Sequence, residues 1–315
     1  MPDKKIIAIV GSTGAQGGGL ARAILADPDS QFAVRALTRN VDSEKARALA
    51  DLGADVVAVD FDDEESVVQA FKGAYGAYCV TFYWDYLSAD KELEQAEILA
   101  EATKAAGVEH VIWSTLPDTR PQYPLDDDRM PSIGRFKVPH FDGKAEADEF
   151  FRERRVPTTF LQTVFYYENF IYFGLEPKRN GAGVLTLGLP LSRGKLPFIA
   201  AEDIGRCTLA IFEQGQEMVG QTVRIMGDQL TGDEVARAMQ DAFGETVLYE
   251  SPTYAQFAAF GFPGADDLAN MFQYFSEQTD MFARDFSIEQ TRTLNPALQS
   301  FSTWLATNKD RIPVH

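Results

Sequence analysis

From residue 6 to residue 113 the chain alternates short apolar runs with longer amphipathic stretches, and this alternation constrains the fold more than any other feature. Residues 6–10, 32–37, 56–59, 77–81 and 111–113 read as strands, and residues 17–26, 43–52, 64–71 and 91–106 as helices. Short β-rich runs separated by helices call for right-handed βαβ crossovers, and so for a parallel sheet covered on both faces. Residues 158–164 supply a sixth strand after a helix that ends near Arg155. The expectation is an α/β chain on a doubly wound parallel sheet.

Residues 7–19 read IAIVGSTGAQGGG, so Gly11, Gly14 and Gly17 follow the first strand directly and open the first helix. Glycine there permits a tight turn, lets the main chain approach a phosphate and keeps the helix close to the strand. The helix start adds unpaired N–H groups and the positive end of a dipole. The context favours a pyrophosphate cradle over a merely flexible turn. The spacing is G-x-x-G-x-x-G instead of G-x-G-x-x-G, which implies a wider turn. At the tip of the second strand, Leu37-Thr38-Arg39-Asn40 carries no acid to receive ribose hydroxyls. Arg39 can pair with a 2′-phosphate that an acid would repel, which favours NADP over NAD.

After residue 165 the rhythm is lost. Aromatics (FYYENFIYFG) and a glycine-rich stretch precede a helix over 202–212, a strand over 222–227 returning to the sheet, and a helix over 231–243. Thr231 and Glu234 have capping-box spacing at the start of that last helix. The expected division is a dinucleotide-binding domain over 1–164, with return segments near 198–227, and a smaller, mainly helical lobe over 165–315 interleaved with the sheet. Residues 117–139, with the run Asp126-Asp127-Asp128, form one long irregular connection of the kind used for lids or left disordered. Phe165, Tyr166, Tyr167, Phe170, Tyr172 and Phe173 either wall a pocket or pack between lobes.

A net charge of −18 speaks against direct nucleic-acid binding, which needs clustered Lys and Arg. Three histidines, His110, His140 and His315, show no zinc spacing, and no metal site is expected. Cys79 and Cys207 lie far apart in apolar segments and read as buried thiols. No stretch is long and apolar enough for a membrane span, and the MPDKK start does not resemble a signal peptide, so the cytoplasm is expected.

The segments VGSTGAQGG, LTRN, VDFDD, VTFYWD, HFDGKAE and FYYENF stand in the order and spacing of the NmrA-like family, an atypical branch of the short-chain dehydrogenase/reductases. GFPGADDLANMFQYF and LNPALQSFSTWL resemble the C-terminal lobe of its NADPH-sensing members. The resemblance covers nearly the whole chain and implies a Rossmann-type fold that binds NADP(H). By position it implies that Gly11, Ser12, Thr13, Gly14, Ala15, Gln16 and Gly17 wrap the pyrophosphate, and that Arg39 and Asn40 meet the adenosine phosphate. Asp60 and Phe61 would flank the adenine, and Phe82, Tyr83 and Trp84 the path to the nicotinamide ribose. Lys144 would hold ribose hydroxyls, with Tyr166, Tyr167, Glu168 and Asn169 at the nicotinamide end. Where relatives carry a second basic residue after the arginine, this chain has Asp42 and delays its lysine to Lys45.

Reductases of that superfamily use a Tyr-x-x-x-Lys pair on one helix face. Here the pattern is His140-Phe-Asp-Gly-Lys144: the lysine stands, and a histidine replaces the tyrosine. A cation one turn away disfavours a charged imidazole, making His140 the poorer proton donor to an oxyanion. Ser114, at the end of the fifth strand, is the candidate catalytic serine. The reading is an NADP(H)-binding regulator or redox sensor with little or no turnover, acting on a protein partner, with a homo-oligomer left open. The alternative is an NADPH-dependent reductase of a small carbonyl or quinone using His140, Lys144 and Ser114.

Overall fold

The computed structural model describes residues 4–314, so Met1–Asp3 and His315 lie outside the described residues. Its contacts divide the chain into two compact units. The first holds the chain up to Asp118 together with His140–Gln162 and Ala201–Val223; the second holds Thr119–Pro139, Thr163–Ala200 and the chain from Arg224 onward.

The first unit is the expected α/β sheet. Its strands are β1 (Lys5–Ile9), β2 (Phe32–Thr38), β3 (Asp55–Ala58), β4 (Gly76–Cys79), β5 (His110–Thr115) and β6 (Thr158–Gln162), ordered β3-β2-β1-β4-β5-β6. These six run parallel, with Ile9 opposite both Ala36 and Tyr78. The strand Thr222–Arg224 completes the edge beyond β6. The connecting helices are α1 (Ala15–Leu25), α2 (Glu44–Asp51), α3 (Glu64–Phe71), the single turn α4 (Tyr83–Tyr86), α5 (Ala89–Ala105) and α6 (Pro139–Glu153). Because both faces are covered, β1 residues 7–9 and every residue of β4 and β5 are buried.

Strand order reverses at β1. From there the chain winds outward through β2 and β3, then crosses back to β4 on the other side. In such sheets the crevice beyond the carboxyl ends at the reversal is where ligands sit. Here that crevice lies between the loops after β1 and β4. Close backbone contact anchors α1: a Cβ at Gly205, on the helix Ala201–Gln214, would stand 2.2 Å from the Gly19 carbonyl carbon. Arg22 and Glu202 clamp the same pair of helices.

The second unit contains two three-stranded sheets alongside its helices. One orders Asp228–Thr231, Lys195–Ile199 and Phe165–Tyr166; the other orders Val247–Glu250, Leu185–Gly188 and Lys178–Arg179. Strands of two to five residues carry too few positions for period-two patterning, so the sequence did not announce most of them. The Thr231–Glu234 capping box forms as its spacing implied, at the start of Gly232–Phe243. Phe165, Tyr167 and Phe170 are buried and pack with Phe198 and Phe301. Tyr172 and Phe173 are exposed. The first three rings pack inside the second unit.

Residues 119–139 hold no helix or strand before α6 but are ordered within this unit. The buried Lys137 ammonium donates to the carbonyls of Asp127 (2.8 Å) and Met130 (2.5 Å), and Asn270 donates to those of Pro131 and Lys137. Tyr123 donates its hydroxyl to Glu277 at 2.7 Å.

Candidate functional site

The loop after β1 has the shape its glycines imply. Gly11 adopts φ +65°, a conformation L side chains rarely take. A Cβ at Gly17 would lie 2.6 Å from the Gly11 carbonyl oxygen and 2.7 Å from that of Val10, so only glycine lets α1 approach β1 this closely. Gly14 is the N-cap, no side chain caps the helix and no acid occupies its first turn. By contrast α2, α3 and α5 are capped by Ser43, Asp63 and Ser88 and begin with acids. The start of α1 therefore keeps the peptide N–H groups and dipole that suit an anion. Ser12 ties the loop to β2 by donating its hydroxyl to the Leu37 carbonyl at 2.9 Å.

Arg39 and Asn40 stand exposed at the tip of β2. The Arg39 guanidinium lies 5.1 Å from the centre of the Phe82 ring, and Phe82 packs on the buried Phe61 at 5.4 Å. Arg39 also pairs with Asp85 on α4, Nη2 to Oδ2 2.7 Å. The Asp60 carboxylate accepts from the Asp62 N–H and so shapes the turn after β3. Bonds from Gln95, then Lys91, hold the Asp62 carboxyl below the usual carboxylate range. The structure thus brings Arg39, Asp60, Phe61 and Phe82 to one end of the crevice. Asp42, in place of a second base, pairs with Arg47 at 3.4 Å.

At the other end, Tyr83 and Trp84 of α4 face α6. The His140 ring lies 4.9 Å from Trp84, 5.6 Å from Tyr83 and 4.8 Å from Phe141, centre to centre. Nothing in the sequence motif signalled this aromatic surrounding. Lys144 is buried, with its ammonium 3.0 Å from Glu92 Oε1 and donating to Thr81 Oγ1 at 2.7 Å. Thr81 in turn donates to the same Glu92 oxygen at 2.6 Å, while Glu92 Oε2 is buried with no partner. The cation one turn from His140 is thus paired with a buried carboxylate. Glu92 was missed although a signal existed: with Ala89, Ala96, Leu99 and Thr103 it falls on the buried stripe of α5.

Ser114, at the end of β5, donates its hydroxyl to Gln16 Oε1 at 2.8 Å, and the Tyr78 hydroxyl donates to the same oxygen. The candidate serine is therefore bonded to the glycine loop. One turn beyond Lys144, Asp148 accepts from the Trp113 indole N–H at 2.9 Å, and burial pushes its carboxyl up to about 6. Tyr166, Tyr167, Glu168 and Asn169 belong to the second unit: Tyr166 pairs in its sheet, Glu168 accepts from the Trp304 indole at 3.0 Å, and Asn169 opens a short helix. That unit also holds a cavity of about 540 Å³ bordered by Arg193, Tyr254 and Glu277, none of them singled out by sequence. Among the described residues no cluster of metal ligands occurs, and no helix is long and apolar enough to cross a membrane.

A parallel sheet reversing at β1, with a glycine loop running from β1 into α1, defines a Rossmann-type α/β protein. The NmrA-like family model matches residues 3–304, and the chain belongs to that family. It is similar to FrzB of Cladobotryum sp., an NmrA-like family domain-containing oxidoreductase, with 27% identity over 288 residues, covering 85% of this chain and 83% of FrzB. Among solved structures it resembles NmrA, a negative transcriptional regulator, in complex with NADP (TM-score 0.78, 22% identity, 97% of this chain and 95% of that one). NmrA has also been solved with NAD. The Escherichia coli NADPH-dependent quinone oxidoreductase QOR2, solved with NADPH, superposes at a TM-score of 0.74 with 22% identity, over 95% of this chain and 98% of that one.

Proposed function

We propose that this protein binds NADP(H) and acts as a regulatory redox sensor with little or no dehydrogenase turnover. The observation that carries the binding is the uncapped, acid-free start of α1 behind a glycine turn, with Arg39 beside it at the tip of β2. The loop from Gly11 to Gly17 would hold the pyrophosphate, Arg39 and Asn40 the adenosine phosphate, and Asp60, Phe61 and Phe82 the adenine side. Tyr83, Trp84 and Lys144 would line the ribose path. Bound there, the cofactor supplies hydride chemistry. The proton-donor set supports little turnover: the tyrosine is replaced by His140, Ser114 is bonded to Gln16, and Lys144 is bonded to Glu92. A regulator then needs a protein partner that distinguishes its liganded states, which requires different binding free energies in those states. The buried free thiols of Cys79 and Cys207 are compatible with the cytoplasm.

The second reading is an NADPH-dependent reductase of a small carbonyl or quinone. The names of FrzB and QOR2 favour it, as does the aromatic wall around His140. Calorimetric titration with NADP⁺ and NADPH tests the binding, and NADPH consumption with aldehydes, ketones and quinones separates the two readings. Saturable binding with no consumption above background is expected. Sustained consumption that is lost in His140→Ala would replace the sensor with the reductase.

A further inference from the structure

We propose that Asp85 is a specificity-determining residue that opposes the 2′-phosphate at Arg39 and thereby narrows the gap between NADP(H) and NAD(H). This rests on the placement of the adenosine phosphate at Arg39. NAD-binding sheets commonly carry an acid at the tip of the second strand, where it receives ribose hydroxyls. That tip here is Arg39-Asn40, and by sequence alone the site contains no such acid. The fold delivers one from elsewhere, because the chain leaves β4 and turns into α4, bringing Asp85 Oδ2 to 2.7 Å from Arg39 Nη2.

Two features make this more than a chance surface pair. Arg39 lies over Phe82, which immediately precedes the same turn, so the ring and the carboxylate that meet its guanidinium are presented from one short segment. That segment is held in shape: the Asp85 N–H donates to the Phe82 carbonyl, and the Leu87 N–H donates to Tyr83 as the turn closes at φ +50°. A phosphomonoester arriving at Arg39 meets a carboxylate already bonded to the group it needs, and the two anions repel. A ribose hydroxyl arriving there can instead donate to Asp85 while the ion pair stays intact. The pair is solvent-exposed, with side-chain exposures of 55% and 44%, so its effect is a bias of severalfold and not an exclusion.

Calorimetric titrations of NADP⁺ and NAD⁺ on the unaltered chain, Asp85→Asn, Arg39→Ala and the double variant test this. In Asp85→Asn, NADP⁺ should bind about three- to fivefold tighter while NAD⁺ binds the same or more weakly. The NADP⁺ gain should vanish in the Arg39→Ala background, as coupling between neighbours requires. An unchanged NADP⁺/NAD⁺ ratio in Asp85→Asn, with both dinucleotides still binding, overturns the role of Asp85 alone. If neither dinucleotide binds the unaltered chain, the nucleotide site beneath it is overturned.

Discussion

Replacing Asp148 by asparagine should stabilise the protein at neutral pH, and the gain can be worked from the structure. Burial raises the carboxyl from 3.8 to about 6, against weaker lowering by Thr115, Arg152 and Trp113. The folded state therefore keeps a proton that the unfolded state releases between about pH 4 and pH 6. The stability this contributes is complete below pH 3.8 and is lost as pH rises through 6. A rise of about two units corresponds to ~3 kcal/mol between those limits. Asparagine retains an oxygen to accept the Trp113 N–H and removes the buried charge, but it forfeits the exposed Arg152 contact at 3.4 Å, which is worth at most about 1 kcal/mol. Asp148→Asn should then be about 2 kcal/mol more stable at pH 7 and close to the unaltered protein near pH 4. Urea unfolding of both proteins, followed by tryptophan fluorescence from pH 4 to pH 8, reads the difference. Subtraction cancels His110, whose imidazole is pushed down to about 4 by burial and acts in the opposite direction. A difference that does not change with pH, or a variant less stable at pH 7, refutes the reasoning.

Gly17→Ala forces a Cβ against two backbone oxygens, which should cost about 1–3 kcal/mol in thermal unfolding and weaken NADP⁺ binding; an unaltered melting point would show that the loop yields freely. Glu92→Ala leaves the Lys144 ammonium buried without its carboxylate, so a loss of about 3–5 kcal/mol is expected in denaturant unfolding, and an unchanged midpoint would mean the pair contributes nothing. Burial pushes the thiols of Cys79 and Cys207 up, the latter to about 12, so a thiol-selective reagent at pH 8 should label the protein only after unfolding; rapid labelling of the native chain would contradict that burial.

By itself the sequence determined whatever depends on neighbours along the chain. The alternation of apolar runs and helices specified the α/β sheet, and Gly11, Gly14 and Gly17 marked a glycine turn at the head of α1. Thr231 and Glu234 announced their capping box three residues apart. These features follow from backbone sterics and local hydrogen bonds, which a short window contains. Tertiary structure decided which distant groups meet: Asp85 on Arg39, Glu92 on Lys144, Ser114 on Gln16, and His140 on Tyr83 and Trp84. Each meeting joins groups from different β–α units or from the two sides of the strand-order reversal. Crossovers set such pairings, and periodicity reports only which face of an element is buried, not what it will face there.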